Sequence, residues 1–270
     1  MVDLESIIAN LLPGIAPSHA LIFFLLIFTR FLMMSLMLPI FGAQILPMLV
    51  RVALSMLLSA MIFLMMIDQA SELACATTIT ISLLFFKEAL IGFLVGFLAG
   101  LLFYGYELFG ELVDLTRGAG MSKLLVPELR HQSSALGTLF FQLALALAFA
   151  LGLHRPIISA AFHSFRKLPV VATQIHFLSL GAFPQAIEIL STLFESATKL
   201  AMPVILITFI IDLTFGFINR VAPQINAYFL SLPAKMVGGL LILFFSLPFL
   251  IDDFAENGVH LNHFLLQFTD

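Results

Sequence analysis

The stretch that decides the fold class is residues 79–106, ITISLLFFKEALIGFLVGFLAGLLFYGY. It is continuously apolar apart from the adjacent charges Lys87 and Glu88. It is also longer than the about 20 residues that an α-helix needs to cross the hydrocarbon core of a bilayer. The stretch is rich in Leu and Phe and lacks the apolar-polar alternation of membrane-barrel strands. It therefore predicts a membrane-spanning helix.

Other apolar runs of similar length occur along the chain, at 20–38, 48–67, 133–153, 200–219 and 225–251. Pro39, Gly42 and Pro47 separate the first two of these runs, and such residues favour turns. We therefore predict an all-α integral membrane protein with about six long apolar helices, arranged as hairpins with bent or broken helices. Because no repeat of fixed period is visible, a single domain over residues 1–270 is the simplest division.

The composition argues against several classes of protein. Hydrophobic residues make up 61% of the chain and charged residues 10%, whereas roughly a quarter of the residues of soluble domains are charged. The net charge of −4 and the lack of a long basic run argue against nucleic acid as a partner. Cys75 is the only cysteine, so no disulfide can form within the chain.

Catalytic and cofactor-binding motifs are missing from the sequence, which contains no G-x-S-x-G, H-E-x-x-H or phosphate-cradling glycine loop. His154 and His163 have no Asp or Glu at ligand spacing on the same helix, which argues against a zinc site. An intramembrane hydrolase using His163 and Ser164 is a further alternative, but no constellation supports it. We therefore expect no enzyme activity, no cofactor and no metal.

Three glycines recur every four residues in the deciding stretch. Gly92, Gly96 and Gly100 lie on one face of the predicted helix, where they allow another backbone to approach closely. The alternative is that glycine is simply common in membrane helices. Three glycines in register favour a packed helix interface.

Charged residues within or beside the apolar runs form a second informative set. Arg30, Lys87, Glu88 and Asp212 would each cost several kcal/mol if ionised in lipid without a partner or water. We expect them to face protein or water. A proton relay is one interpretation, and structural ion pairing between helices is the other and the one we favour.

The longest charge-rich interruption runs from residue 107 to residue 132 and reads ELFGELVDLTRGAGMSKLLVPELRHQ. Within it, the segment from Gly118 to Pro127 joins glycines, which permit tight backbone turns, to a bulky apolar cluster. Such a cluster could close a pore by excluding water, as hydrophobic constrictions do. The alternative is an ordinary connecting loop.

The distribution of Lys and Arg does not fit a simple serpentine topology. Counting positive charges favours an amino terminus outside the cell, with the basic residues of the 107–132 interruption inside. Arg155, Arg166 and Lys167 then fall on the outer side. We infer either a re-entrant segment or a protein that does not cross the bilayer as a simple serpentine, and we favour the second.

Several longer strings of sequence together resemble the FliR/SctT family of type III secretion export apparatus proteins. They are Arg51-Val52, KEALIGFLVGF at 87–97, GELVDLTRGAGM at 110–121, GLHRPIISAAFHSFRKLP at 152–169 and INRVAPQINAYFLSLPAK at 218–235. The resemblance covers nearly the whole chain in family order. Lys87-Glu88 and the APQINAYFLSLPAK string look more like the injectisome (SctT) branch than the flagellar branch.

This resemblance implies a core component of an export gate in the bacterial inner membrane. The implied partners are FliP/SctR-like, FliQ/SctS-like and FlhB/SctU-like membrane subunits, with which the chain would form a pore for unfolded substrate polypeptides, in contact with membrane lipid. The implied subunits are built of hairpins with bent helices. A stand-alone secondary transporter or proton channel, with Lys87, Glu88 and Asp212 at a midplane site, is the alternative.

The resemblance also assigns roles to individual residues. It implies a pore plug loop and a structural loop between the last two long helices, the latter held by hydrogen bonds from Arg220 and Gln224. The plug positions are Gly118, Gly120, Met121, Leu124, Leu125 and Val126. The structural-loop positions are Asn219, Arg220, Pro223, Gln224 and Asn226.

Overall fold

The computed structural model describes residues 16–42, 46–119, 134–172 and 182–266. Seven α-helices lie within these ranges, joined in part by two 3-10 turns, Pro39–Phe41 and Ile67–Cys75. The helices are α1 (Pro17–Met37), α2 (Met48–Met66), α3 (Thr78–Thr116), α4 (Ala135–Ala150), α5 (His154–Lys167), α6 (Ala182–Val221) and α7 (Ala227–Leu266). No strand occurs in the described ranges, and the prediction of an all-α protein is confirmed.

The number of membrane-spanning helices also agrees with the prediction. Five helices in the described ranges are long and apolar enough to cross a membrane: α1, α2 with its following 3-10 turn, α3, α6 and α7. The number rises to six if the bent pair of α4 and α5 forms one span. The predicted six long apolar helices with bent or broken members are therefore confirmed.

A break at residues 151–153 separates α4 from α5. Gly152 lies at the break with φ +76°, a left-handed conformation that favours glycine. The amide of Leu153 bonds to the carbonyl of Ala148 at 2.9 Å, a pattern that closes the carboxyl end of a helix. The break therefore comes just before Arg155, one of the cations that fall on the outer side of the membrane in a simple serpentine topology.

The third helix is longer than predicted. The apolar run ends near Tyr106, and residues 107–116 were assigned to the polar interruption, but the structure continues α3 to Thr116. Phe109, Gly110 and Val113 are buried, whereas Glu111 is exposed. This extension is amphipathic, and a search for continuous apolarity misses it because only one face is buried.

The last two helices also extend beyond the predicted runs, for the same reason. Helix α6 begins at Ala182 rather than near residue 200, and α7 ends at Leu266 rather than near residue 251. In the early part of α6, Leu193 and Ala197 are buried while the Glu195–Lys199 ion pair is exposed. Helical spacing, rather than continuous apolarity, marks these regions.

The chain divides into two compact units, and the expected single domain stays a prediction. Unit 1 contains the described parts of Met1–Gly100, His154–Ala186 and Asn262–Asp270. In it α1 and α2 form the predicted hairpin, with Phe23 against Phe63 at 6.2 Å between ring centroids and the Ser55 hydroxyl bonded to Ser35 at 3.2 Å.

Unit 2 contains the described parts of Leu101–Leu153 and Ile187–Leu261. Its core includes Phe109 and Phe140, with ring centroids 4.7 Å apart. Tyr106 contacts Phe254 at 5.1 Å in the same unit. Aromatic pairs of this kind add to the burial of apolar area and fix the contact between helices.

Candidate functional site

Three of the predicted intramembrane charges form one buried charge cluster in unit 1, made of Arg30, Lys87 and Glu88. The Arg30 Nε donates to Glu88 Oε2 at 2.5 Å, and the Lys87 Nζ lies 3.0 Å from Glu88 Oε1. The side chains are only 3%, 5% and 0% exposed, respectively. Two cations therefore share one carboxylate, and the remaining hydrogen bonds of both cations must be made elsewhere.

Lys87 makes those bonds to the backbone that follows α5. Its Nζ donates to the carbonyl oxygens of Pro169, Val170 and Ala172 at 2.8, 2.7 and 2.9 Å. These carbonyls lie beyond the helix end, where no intrahelical donor reaches them. The ammonium group thus satisfies the buried Val170 carbonyl, which would otherwise lack a partner.

Arg30 binds the last turn of α5 and the residue after it. Its Nη2 donates to the Leu168 carbonyl at 2.8 Å and its Nη1 to the Ser164 hydroxyl at 3.3 Å. The guanidinium carbon also lies 4.1 Å from the centre of the Phe165 ring, a cation–π contact. A cation near a helix carboxyl terminus is favourable because it complements the helix dipole.

This arrangement favours structural ion pairing over a proton relay. Each charge of the cluster already has a protein partner, and none of the three side chains is more than 5% exposed. The cluster joins α1, α3 and the segment after α5. The cluster acts as a clamp that holds residues 168–172 against α1 and α3.

The fourth predicted charge, Asp212, pairs with a lysine that the sequence analysis overlooked. Lys235 Nζ lies 2.8 Å from Asp212 Oδ1, which joins α6 to α7 in unit 2. The lysine side chain is 9% exposed and the aspartate side chain 50%. A signal was present, since Lys235 is a lone cation at the start of an apolar run whose antiparallel neighbour holds a lone anion.

Two of the three predicted packing glycines lie where α3 meets α1. A Cβ on Gly96 would come within 2.6 Å of the Met34 carbonyl oxygen, and one on Gly92 would strike the backbone of Arg30. Gly100 is buried as well. The glycine face therefore permits backbone contact within the chain, and it brings Glu88 of α3 to Arg30 of α1.

Asp114 bonds to described residues on both sides of the range 120–133. Its Oδ2 accepts from the Ser134 hydroxyl at 2.6 Å and from the Leu136 amide at 3.0 Å. Its Oδ1 accepts from Arg117 Nη1 at 3.3 Å. Ser134 in turn caps α4 by accepting from the Gly137 amide at 2.9 Å. We call Asp114, Arg117, Ser134 and Leu136 the loop base.

Close backbone contacts reinforce the loop base. A Cβ on Gly110 would lie 2.5 Å from the backbone of Leu136, so α3 and α4 touch there without an intervening side chain. Gly118 has φ +79°, and a Cβ there would meet the side chain of Leu232 at 2.9 Å. The positive φ favours glycine at residue 118, whereas the end of the Leu232 side chain could move aside.

Most predicted plug positions lie outside the described residues. Gly118 is described and lies directly beyond the loop base. The other positions fall in the undescribed range 120–133 and stay predictions: Gly120, Met121, Leu124, Leu125 and Val126.

The predicted structural loop lies between α6 and α7. Asn226 caps α7, because its Oδ1 accepts from the Phe229 amide at 3.3 Å. The predicted loop contacts of Arg220 and Gln224 stay predictions, since both side chains are exposed and neither bonds to a described residue. Asn219 and Pro223 are also exposed.

A polar network that the sequence analysis missed joins three helices of unit 2. Tyr106 donates to Asp253 Oδ2 at 2.6 Å. The Asn257 amide donates to the same oxygen at 2.8 Å and to Ser196 at 3.2 Å. Asp253 and Asn257 are four residues apart on α7, a spacing that places them on one helix face, but only the fold brings Tyr106 to them.

The residues considered for catalysis or metal binding have other surroundings. Ser164 is 2% exposed, donates to the Ala161 carbonyl at 2.7 Å and accepts from Arg30. Across the described ranges, no group of three or more His, Cys, Asp or Glu could hold a metal ion. Ser164 therefore contacts the buried charge cluster from α5.

The sequence also matches known proteins. Residues 21–258 match the family described as "Bacterial export proteins, family 1". The chain belongs to this family. The predicted FliR/SctT relationship is thereby confirmed.

Relatives of this export protein come from flagellar and secretion systems. It is 31% identical to the "Flagellar biosynthetic protein FliR" of Aquifex aeolicus over 84% of this chain and 86% of that protein. It is 34% identical to the "Yop proteins translocation protein T" of Yersinia pestis over 61% of this chain and 62% of the relative. It is 31% identical to the "Secretion system apparatus protein SsaT" of Salmonella typhimurium over 60% of this chain and 62% of the relative.

Membership of the family and the apolar helices together locate this export protein. It is a multi-pass protein of the bacterial inner membrane. None of the three relatives is named as an enzyme. Because flagellar and secretion relatives both match, and the two secretion relatives are matched over less than two thirds of their length, the injectisome branch stays a prediction.

Proposed function

We propose that this export protein is a core component of the type III export gate. It forms, with FliP/SctR-like, FliQ/SctS-like and FlhB/SctU-like subunits, a pore for unfolded substrate polypeptides. The names of the relatives support export as the process. The helices support assembly with other subunits, because most of their apolar residues are exposed. Only 17% of the residues in the apolar stretch of α6, and 22% of those in the apolar stretch of α7, are buried within the chain.

The apolar segment Met121–Val126 acts as the plug of this pore. The observation that carries the proposal is the loop base, where Asp114 accepts hydrogen bonds from residues on both sides of the segment. The described residues on the two sides of the segment, Arg117 and Ser134, therefore lie close together.

The plug closes the pore by excluding water from an apolar constriction. Leu124, Leu125 and Val126 contact apolar side chains of neighbouring subunits in the closed state. An arriving polypeptide replaces those contacts and displaces the loop, while the neighbouring subunits limit ion leakage. The energy for transport comes from other parts of the machine.

The test replaces Leu124, Leu125 and Val126 by Ser in the assembled complex and measures conductance in planar bilayers. We expect a higher basal conductance, because hydroxyl groups hydrate the constriction. The matched control replaces three exposed apolar residues of α2, Leu57, Met61 and Leu64, by Ser. Basal conductance equal to that of the unmodified complex, with all subunits still copurifying, would refute the plug.

The alternative of a stand-alone transporter or proton channel gains no support from the buried charge cluster. A proton relay needs groups that can exchange protons with water. Lys87 and Glu88 are buried and held by each other, by Arg30 and by backbone carbonyls. The cluster therefore supports a structural role, in keeping with a subunit of a larger assembly.

A further inference from the structure

Arg51 of unit 1 is a buried cation without a counter-charge in the described ranges. It lies in the first turn of α2 and is only 7% exposed. The other buried cations of these ranges, Arg30, Lys87, Arg117 and Lys235, each have a carboxylate at 3.3 Å or less. No described carboxylate pairs with Arg51, and its Nε is buried without a hydrogen-bond partner. Because a buried charge without a partner is strongly unfavourable, Arg51 calls for an anion from elsewhere.

The amino end of α2 adds two donors that also lack acceptors. The helix has no side-chain cap and no acidic residue in its first turn. The amides of Val50 and Arg51 bond to the Pro47 carbonyl, whereas those of Met48 and Leu49 bond to no described residue. Free amides and the helix dipole favour an anion at this end of a helix, and the dipole disfavours a lone cation there.

The side chain of Arg51 belongs to the same end of the helix. The buried residues of α2 are Arg51, Ser55, Ser59 and Ile62, whose spacing places them on one helix face. That face contacts α1, because the Ser55 hydroxyl bonds to Ser35 at 3.2 Å. The Cα–Cβ bond of a helical residue tilts toward the amino terminus, which directs Arg51 along the first turn. We call the Arg51 guanidinium group and the two free amides the α2 anion site.

The surroundings of the α2 anion site indicate which anion it suits. Met48, Leu49 and Val50 are 65%, 81% and 42% exposed, so an apolar surface lies beside the charge. A carboxylate carried by an apolar helix would bury that surface, whereas a hydrated inorganic anion would leave it exposed. A guanidinium group donates two parallel hydrogen bonds to a planar carboxylate. Because so little of Arg51 is open, a slim side chain fits better than a lipid phosphate with ester groups on two sides.

We propose that the α2 anion site binds an Asp or Glu side chain of a neighbouring membrane subunit in the export gate. The inference rests on the proposed function, which supplies the neighbours. In the free chain Arg51 is buried without a counter-charge, and in the assembly it gains one. The ion pair therefore favours the assembled state and specifies which surface of a neighbour meets the amino end of α2.

The first test uses Arg51→Met, which should act with opposite signs on the free chain and on the assembly. In the full chain alone in detergent, the midpoint of denaturant unfolding should rise, because a buried charge without a partner is removed. In the assembly, the apparent dissociation constant for the copurifying subunits should rise at least about tenfold, because the neighbour's carboxylate loses its counter-charge. A purely structural role of Arg51 would instead lower the midpoint.

A matched control removes a cation of unit 1 that is exposed. Arg155→Met on α5 should change neither the unfolding midpoint nor the dissociation constant. Arg51→Lys keeps the positive charge and should retain most of the affinity that Arg51→Met loses.

The second test uses the amine of Arg51→Lys to identify the carboxylate. A water-soluble carbodiimide activates a carboxylate, the lysine Nζ attacks it to form an amide, and the reagent leaves as a urea. We expect a zero-length cross-link from residue 51 to an Asp or Glu of another subunit, identified by mass spectrometry of the assembled complex. Arg51→Met, which has no amine, should give no cross-link at residue 51.

Three results would overturn the proposal. The first is equal affinity of Arg51→Met and the unmodified chain for the copurifying subunits, which would leave the export gate in place; failure of the unmodified chain to bind any subunit would overturn both. The second is a cross-link from residue 51 of Arg51→Lys to a carboxylate of its own chain. The third is stabilisation of the unmodified chain, but not of Arg51→Met, by phosphatidylglycerol, since the occupant would then be a lipid phosphate.

Discussion

At the scale of single residues, the buried charges show how this chain tolerates ionised groups among apolar helices. Lys87 is surrounded by Glu88 and three backbone carbonyls. Arg30 has a carboxylate, a carbonyl, a hydroxyl and an aromatic ring. Each cation therefore exchanges its hydration for protein partners, as a buried charge requires.

We predict that Glu88→Gln destabilises the protein by about 3–5 kcal/mol, because two buried cations lose their shared counter-charge. The measurement is the free energy of unfolding in detergent. The control is Glu195→Gln, which breaks an exposed ion pair with Lys199 and should leave stability unchanged. Equal effects of the two substitutions would contradict a structural role of the buried charge cluster. Loss of transport without loss of stability would favour the proton relay.

At the scale of helices, glycines decide how closely elements approach. On α3, Gly96 meets the backbone of Met34, whereas Gly216 on α6 has no atom within 4 Å of a built Cβ. The same residue type therefore has opposite significance at the two positions. At Gly96 the missing side chain is needed for packing, and at Gly216 it only lowers helix propensity.

We predict opposite signs for two identical substitutions. Gly96→Ala should destabilise the protein by about 1–3 kcal/mol, since its Cβ overpacks the contact with α1. Gly216→Ala should stabilise it by about 0.5–1 kcal/mol through helix propensity. Chemical unfolding of the two variants compares them directly. If Gly96→Ala were also stabilising, the close contact of α3 with α1 would be wrong.

The loop base is a second feature at this scale, because it joins the end of α3 to the start of α4. Asp114 accepts from the Leu136 amide, and Ser134 accepts from the Gly137 amide. A carboxylate near a helix amino terminus is favoured by the helix dipole as well as by these hydrogen bonds. Stability of this junction thus depends on very few side chains.

We predict that Asp114→Ala accelerates amide hydrogen exchange at Leu136 and Gly137, because the first turn of α4 loses its acceptor and its capping Ser134 loses a partner. The expected loss is about 1–3 kcal/mol of local stability. Glu111→Gln, one turn earlier on α3 and exposed, serves as the control. Unchanged protection at these two amides in Asp114→Ala would show that the junction is held by backbone packing alone.

At the scale of the whole molecule, the exposed apolar surface is the dominant property. Large apolar side chains are exposed along α6 and α7, among them Leu206, Phe209, Phe217, Phe244 and Phe249. A soluble protein could not expose so much contiguous apolar surface without aggregating. We expect lipid and partner subunits to cover it, as in a multi-pass member of a bacterial export family.

The amino-acid sequence by itself determined the solvent, the secondary structure and the family. Uninterrupted apolar runs can only be lipid-facing or buried helices. The string INRVAPQINAYFLSLPAK at 218–235 pointed to the family. The helix ends were predicted less well. The amphipathic extensions of α3, α6 and α7 bury only one face, so a search for continuous apolarity stops short of them.

Only the tertiary structure decided which distant groups meet. Lys87 finds its carbonyl partners beyond α5, Lys235 pairs with Asp212, and Asp114 of α3 bonds to Ser134 at the start of α4. A sequence shows that a buried charge needs a partner, but not which one. The choice follows from how the helices pack, since a hydrogen bond acts over only about 3 Å.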